Sequence, residues 1–137
     1  MAITQLSILI TNEVGSLAEV TGIFWDNDID VRAISVSDTT EYGILRVVVD
    51  NPDKAVNCLK EKGIVAKKSE VLAINPEDKK GSLTSIFKIM SENNINIDYI
   101  YSFVVREKEE QYFVLKVGNI SHAEMLLEYK GIEVIKK

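Results

Sequence analysis

The chain states one pattern twice. Gly15-Ser16-Leu17 recurs as Gly81-Ser82-Leu83, and Asp26-Asn27-Asp28-Ile29-Asp30-Val31 as Glu92-Asn93-Asn94-Ile95-Asn96-Ile97, each 66 residues further on. Ala55, Leu59 and Lys62-Gly63-Ile64 return as Ala123, Leu127 and Lys130-Gly131-Ile132 at an offset of 68. The second copy therefore carries two extra residues between its halves. A repeat of this length is one supersecondary unit used twice, and it constrains the fold more than any other feature. For 137 residues the expectation is two domains, 1–70 and 71–137. Each is near the lower size at which a lone core is stable, so pairing between copies, or between chains as a homodimer, is expected to help.

The order of elements is legible within each copy. Leu6, Ile8 and Ile10 alternate with Ser7 and Thr11, which is strand periodicity. Leu17, Val20 and Phe24 follow helical spacing, as do Leu83, Ile86, Phe87 and Met90, and Trp25 is expected to complete the first helix's apolar side. Residues 31–37 and 97–105 read as second strands, 44–49 and 112–117 as third strands. Asn51-Pro52 supplies a cap with proline at the first helical position, and Ser121 with Glu124 reads as a capping box for the equivalent helix. Gly63 and Gly131 close these helices, and Asn27-Asp28 and Asn93-Asn94 close the earlier pair. Each copy is βαββαβ, the ferredoxin-like order of an α+β fold, with an antiparallel sheet and helices on one face. Only 18 positions separate Gly63 from Gly81, room for two strands and a loop but no linker.

Composition narrows the function. A net charge of −5 disfavours nucleic acid or an anionic membrane as a partner. The single cysteine, Cys58, allows no internal disulfide and no Cys-pair metal site. The opening residues lack a signal-peptide pattern and no apolar run is long enough to span a membrane, so a cytoplasmic protein is expected. His122 has no second His or Cys near it in sequence. With no nucleophile–base pair, metal-ligand spacing or phosphate-loop signature, neither an enzyme nor a cofactor is expected.

The site-bearing features are the two strand-to-helix loops. Asn12-Glu13-Val14-Gly15-Ser16-Leu17 and Asp78-Lys79-Lys80-Gly81-Ser82-Leu83 each place a glycine where a helix begins. Backbone amides there favour an anion such as an amino-acid carboxylate; a plain tight turn accounts for the same residues. Lys79-Lys80 makes the second loop the more positive, so an anionic group is expected to prefer it. Tyr99, Tyr101 and Phe103 share a strand face and read either as the wall of a ligand pocket or as a packed sheet face. Asp38-Thr39-Thr40 is either a binding loop or a polar turn, and Glu107, Glu109 and Glu110 with Lys108 read as a solvated hairpin tip.

On these residues the chain resembles a known family. A strand ending in Asn or Asp, a short loop, Gly-x-Leu opening a helix, then Asn-x-Ile-Asn/Asp-Val/Ile leading into the next strand look like the ACT domain, the small-molecule-sensing regulatory module of amino-acid metabolism. The match occurs twice, and the segments 37–46 and 98–103 look like the stand-alone prokaryotic proteins that consist of two ACT domains. Val14 and Lys80 stand where the family usually has proline before the glycine. The resemblance implies a sensor that binds a free amino acid at the glycine loops and domain interfaces, acting on a separate regulated enzyme or on free ligand levels. The ammonium group is expected to meet Asn12, Asp38 or Asp78. The competing expectation is a scaffold that has lost ligand binding and works through protein–protein pairing.

Overall fold

The computed structural model describes residues 3–38, 41–105 and 109–135, the side chain of Asp38 excepted. Its elements are β1 (Ile3–Thr11), α1 (Ser16–Asp26), β2 (Val31–Asp38), β3 (Tyr42–Val49), α2 (Pro52–Glu61), β4 (Ala66–Asn75), α3 (Ser82–Glu92), β5 (Ile97–Val105), β6 (Glu110–Val117), α4 (Ile120–Tyr129) and β7 (Glu133–Val134). This is βαββαβ twice, with β4 both closing the first copy and opening the second. The chain divides into two compact units, Thr4–Ser69 and the residues from Glu70 onward with Ile3, and the division falls inside β4. The expected pair of separate strands in this stretch is thus one strand of ten residues. Nothing between Ala66 and Asn75 is Gly or Pro, so nothing interrupts it.

In the first unit the strand order is β2-β3-β1-β4; in the second it is β7-β4-β6-β5. β1 runs antiparallel to β3 with Leu6 opposite Val47 and Ile8 opposite Leu45, and β4 antiparallel to β6 with Leu72 opposite Leu115. The helices of each unit supply the other half of one core. Leu6, Ile8, Val20, Phe24, Val47, Val49, Ala55 and Leu59 are buried in the first unit. Their repeat partners Leu72, Ile74, Ile86, Met90, Leu115, Val117, Ala123 and Leu127 are buried in the second. Burial of each large side chain stabilises by roughly 1.5–3 kcal/mol, so a repeat that preserves these positions preserves the fold. Trp25, expected on this apolar side, is instead 85% exposed, because Phe24 already occupies the inward position of the last turn.

The helix ends follow their local chemistry. Asn51 Oδ1 accepts from the Lys54 amide, with Pro52 next to it at the first helical position. In α4 the cap is not the expected Ser121 but Asn119, whose Oδ1 accepts from the His122 amide. The second copy therefore repeats the asparagine cap and starts its helix one residue before Ser121. At the helix exits Asp28 and Asn94 take positive φ of 56° and 57°.

The second strands carry matching irregularities, a register shift at Val31/Ala33 and another at Ile97/Tyr99. A bulge adds one residue and so exchanges faces. Ile97 and Ile100 consequently both pack on the core, whereas Tyr99, Tyr101 and Phe103 take the opposite face. There Tyr99 stacks on Tyr101 at 6.5 Å and Phe103 meets Tyr112 at 5.5 Å between ring centroids.

Candidate functional site

Both glycine loops form the same turn. Gly15 has φ 93° and Gly81 has φ 85°, left-handed values that favour glycine, and each is the residue before its helix. The turns close through Ser16 N to Glu13 O and Ser82 N to Lys79 O, both 3.3 Å. Neither helix has a side-chain cap. The first-turn amides that follow have no acceptor within the helix, and the helix dipole places partial positive charge beside them. A Cβ at either glycine would meet no atom within 4 Å, so the space before each helix start is open.

At the second loop this opening belongs to a cleft of about 870 Å³. One wall is Asp78, Lys79, Gly81, Ser82, Leu83 and Thr84; the other is Val104 on β5 with Glu109, Glu110, Gln111 and Phe113 at the start of β6. The topology makes them neighbours: Ile74 near the end of β4 pairs with Phe113, so the loop after β4 lies beside the β5–β6 hairpin. Among the expected site residues, Asp78, Gly81, Ser82 and Leu83 line the cleft; Lys80, Tyr99 and Tyr101 are not among its described lining. The aromatic pair is excluded by the bulge, which turns it to the face opposite Val104 and Phe113.

Part of the positive character expected of this loop is offset within it. Lys79 Nζ lies 2.8 Å from Glu77 Oε2, which matches its charge within the loop. That hydrogen bond, and then the Coulombic attraction, lower the Glu77 pKa and raise that of Lys79. Glu109 and Glu110, read from sequence as a solvated tip, are instead part of the cleft. Glu110 is held in place: its Oε2 accepts from Tyr112 Oη at 3.0 Å and from Asn75 Nδ2 at 3.1 Å. Asn75 also donates to Glu133 Oε1 at 3.2 Å, so one amide ties β6 to β7 across β4. The available signal for these residues was topological, since βαββαβ order brings the middle hairpin beside the first strand's end.

At the first loop Asn12, Glu13, Val14 and Gly15 are exposed and Leu17 is 42% exposed. The Ser16 hydroxyl is engaged with Thr11 Oγ1 at 2.8 Å. The Asn12 amide donates to Glu41 O at 3.0 Å, again joining loop to hairpin. Thr39 and Thr40, together with the Asp38 side chain, lie outside the described residues. Among the described residues no group of three or more His, Cys, Asp and Glu is placed to hold a metal ion. No described helix is long and apolar enough to cross a membrane.

The family model of the ACT domain pair matches residues 1–137. The chain belongs to this family. Among solved structures, protein BT0572 from Bacteroides thetaiotaomicron is similar at TM-score 0.90 and 28% identity, over 98% of this chain and 92% of that one. The regulatory subunit of aspartate kinase from Thermus thermophilus, in a ligand-free form, aligns at TM-score 0.66 and 18% identity over 93% of this ACT pair and 90% of its own chain. Its Thermus flavus counterpart aligns at 0.67 and 17% over the same shares. At these identities the kinase subunits share the fold. A search of curated protein sequences returns no match.

Proposed function

We propose that this ACT domain pair is a regulatory sensor for a free amino acid, bound in the cleft before α3. The observation that carries the reading is the cleft's polarity. The residues Gly81, Ser82, Leu83 and Thr84 form one wall, where the Leu83 and Thr84 amides of the first turn have no side-chain cap, and the acidic residues Asp78, Glu109 and Glu110 also line it. A zwitterion matches both: its carboxylate meets the helix start and its ammonium meets the acids. The volume is within the ~300–1,000 Å³ usual for small-molecule sites. Leu83, Val104 and Phe113 add apolar surface for a side chain.

The same chemistry in the domain of residues 1–70 would use Gly15, Ser16 and Leu17, with Asn12 and the Asp38 hairpin beside them. Membership in a family of regulatory domains, and a kinase regulatory subunit of the same fold, support an output through a separate enzyme and not through catalysis by this chain. We take the working form to be a cytoplasmic homodimer. A thermal-shift screen against the twenty amino acids tests the reading: ligand at about a hundred times its Kd adds roughly 2.7 kcal/mol of stability. If no amino acid raises the Tm, the pair is a scaffold that acts through protein contacts alone.

A further inference from the structure

The strand register aligns the two copies residue by residue, since Leu6 opposite Val47 in one corresponds to Leu72 opposite Leu115 in the other. On that alignment Leu9, Tyr42, Ile44 and Val65 of the first unit correspond to Asn75, Glu110, Tyr112 and Glu133 of the second. Leu9, Tyr42 and Val65 are 61%, 48% and 79% exposed, so the fold requires no hydrogen-bonded network at these places. In the second unit all four residues are joined. Asn75 Nδ2 donates to Glu110 Oε2 at 3.1 Å and to Glu133 Oε1 at 3.2 Å, and Tyr112 Oη donates to the same Glu110 oxygen at 3.0 Å. An amide nitrogen carries two protons, one for each carboxylate.

We propose that Glu133 on β7 is a positioning residue for the cleft before α3, acting through the Asn75 amide on the Glu110 carboxylate. The inference rests on the reading that the cleft binds an amino acid with its ammonium group at Glu110. Asn75 and Glu110 line the cleft, whereas Glu133 is not among its described lining, so Glu133 reaches the site through Asn75. By accepting one amide proton, Glu133 fixes the plane of the Asn75 side chain and aims the other proton at Glu110 Oε2. With Oε2 held by two donors, the carboxylate is oriented and Oε1 is left for a cation. The anchor itself is firm: Asn75 and Glu133 are cross-strand partners, Val134 is buried, and the Ile135 amide donates to Ala73 O at 2.7 Å. Leu9 and Val65 have no side-chain donor or acceptor, so the first unit cannot form this relay.

Calorimetry on the full chain tests the role, with the twenty L-amino acids as probes and, for each that binds, the carboxylic acid of the same skeleton without its amino group. The first unit folds with Leu9 and Val65 at these places, so Asn75→Leu and Glu133→Val are expected to fold, which circular dichroism checks; Glu133→Ala replaces Glu133→Val if that variant does not. Asn75→Leu is expected to weaken the amino acid about fivefold and Glu133→Val roughly threefold, with the deaminated acid unchanged. Glu133→Gln keeps an oxygen that accepts from Asn75 and is expected to bind as the wild type does. In a Glu110→Gln background, Glu133→Val is expected to add nothing, because it acts through the carboxylate already lost. If Glu133→Val has no effect, weakens both probes alike, or keeps its effect without the Glu110 charge, the positioning role is overturned and the cleft stands. If none of the twenty amino acids binds, the cleft reading fails and this inference fails with it.

Discussion

Glu77 and Lys79 form an ion pair two residues apart, Oε2 to Nζ 2.8 Å, within the loop that precedes α3. The relationship decides the electrostatics of the cleft. With Lys79 matched to Glu77, the remaining charged lining residues are Asp78, Glu109 and Glu110, so on the proposed reading acidic ligands should bind less well than neutral ones. Glu77→Gln should free Lys79 and tighten binding of acidic amino acids relative to neutral ones, a change in ratio that calorimetry reads directly.

The pH dependence of the pair has a definite sign. The Glu77 pKa is lowered by its hydrogen bond to Lys79, so its contribution is present above the ordinary glutamate range and lost as pH falls through the depressed value. The Lys79 pKa is raised, so its contribution is lost as pH rises through a value above the ordinary lysine range. Between those limits the pair is constant, and its effect on stability is small because both groups are exposed. A carboxyl NMR titration should place the Glu77 midpoint below that of an ordinary glutamate, and Lys79→Gln should return it upward. A midpoint unmoved by Lys79→Gln would show that the pair is absent in solution.

Gly81 and Gly131 provide a matched comparison. Their φ values are 85° and 81°, and a Cβ meets nothing within 4 Å at either. Alanine should therefore cost about 1–2 kcal/mol of backbone strain at both sites. Only Gly81 borders the cleft. Gly81→Ala should lose the amino-acid-induced shift in Tm, while Gly131→Ala, equally destabilised, keeps it. Equal shifts in the two variants would remove the α3 start from the binding site.

The caps give a stability test. Asn51→Ala and Asn119→Ala each remove an oxygen that accepts a first-turn amide. Each should cost about 1 kcal/mol, or a fall in Tm of about 2–6 °C. Ser121→Ala should leave the Tm unchanged or raise it, because Ser121 is already inside the helix and alanine is the better helix former.

The repeat made the fold legible. Once Gly15 and Gly81 are aligned, the strand periodicity of one copy supports the other, and core positions such as Leu59 and Leu127 follow. What stayed hidden were features that depend on a single residue or on tertiary pairing. The bulges at Val31/Ala33 and Ile97/Tyr99 each shift a strand by one position, which alternation alone does not show; the one at Ile97/Tyr99 is why Tyr99 and Tyr101 lie on the face opposite Val104. The cap moved from Ser121 to Asn119 because an asparagine and a serine two residues apart satisfy the same pattern. Glu110 escaped because a charged hairpin reads as solvated until the sheet register brings it beside the α3 loop.

Glu110 is the residue through which the ammonium half of the proposed recognition is tested. Both hydrogen bonds from its neighbours, Tyr112 Oη and Asn75 Nδ2, fall on Oε2. No described residue bonds to Oε1, and a carboxylate oxygen left open in this way is an acceptor for a cation. Glu110→Gln keeps the shape and removes the charge. It should weaken an amino acid by about 1.5–3 kcal/mol, roughly ten- to a hundredfold in Kd. The matching carboxylic acid without its amino group should bind wild type and variant alike, since it has only the helix start to hold it. If the variant weakens both ligands equally, Glu110 shapes the hairpin and does not recognise the ammonium. Tyr112→Phe separates these cases further: it releases one of the two donors that fix Oε2 and leaves the carboxylate charge in place, so its effect on the amino acid should be smaller than that of Glu110→Gln.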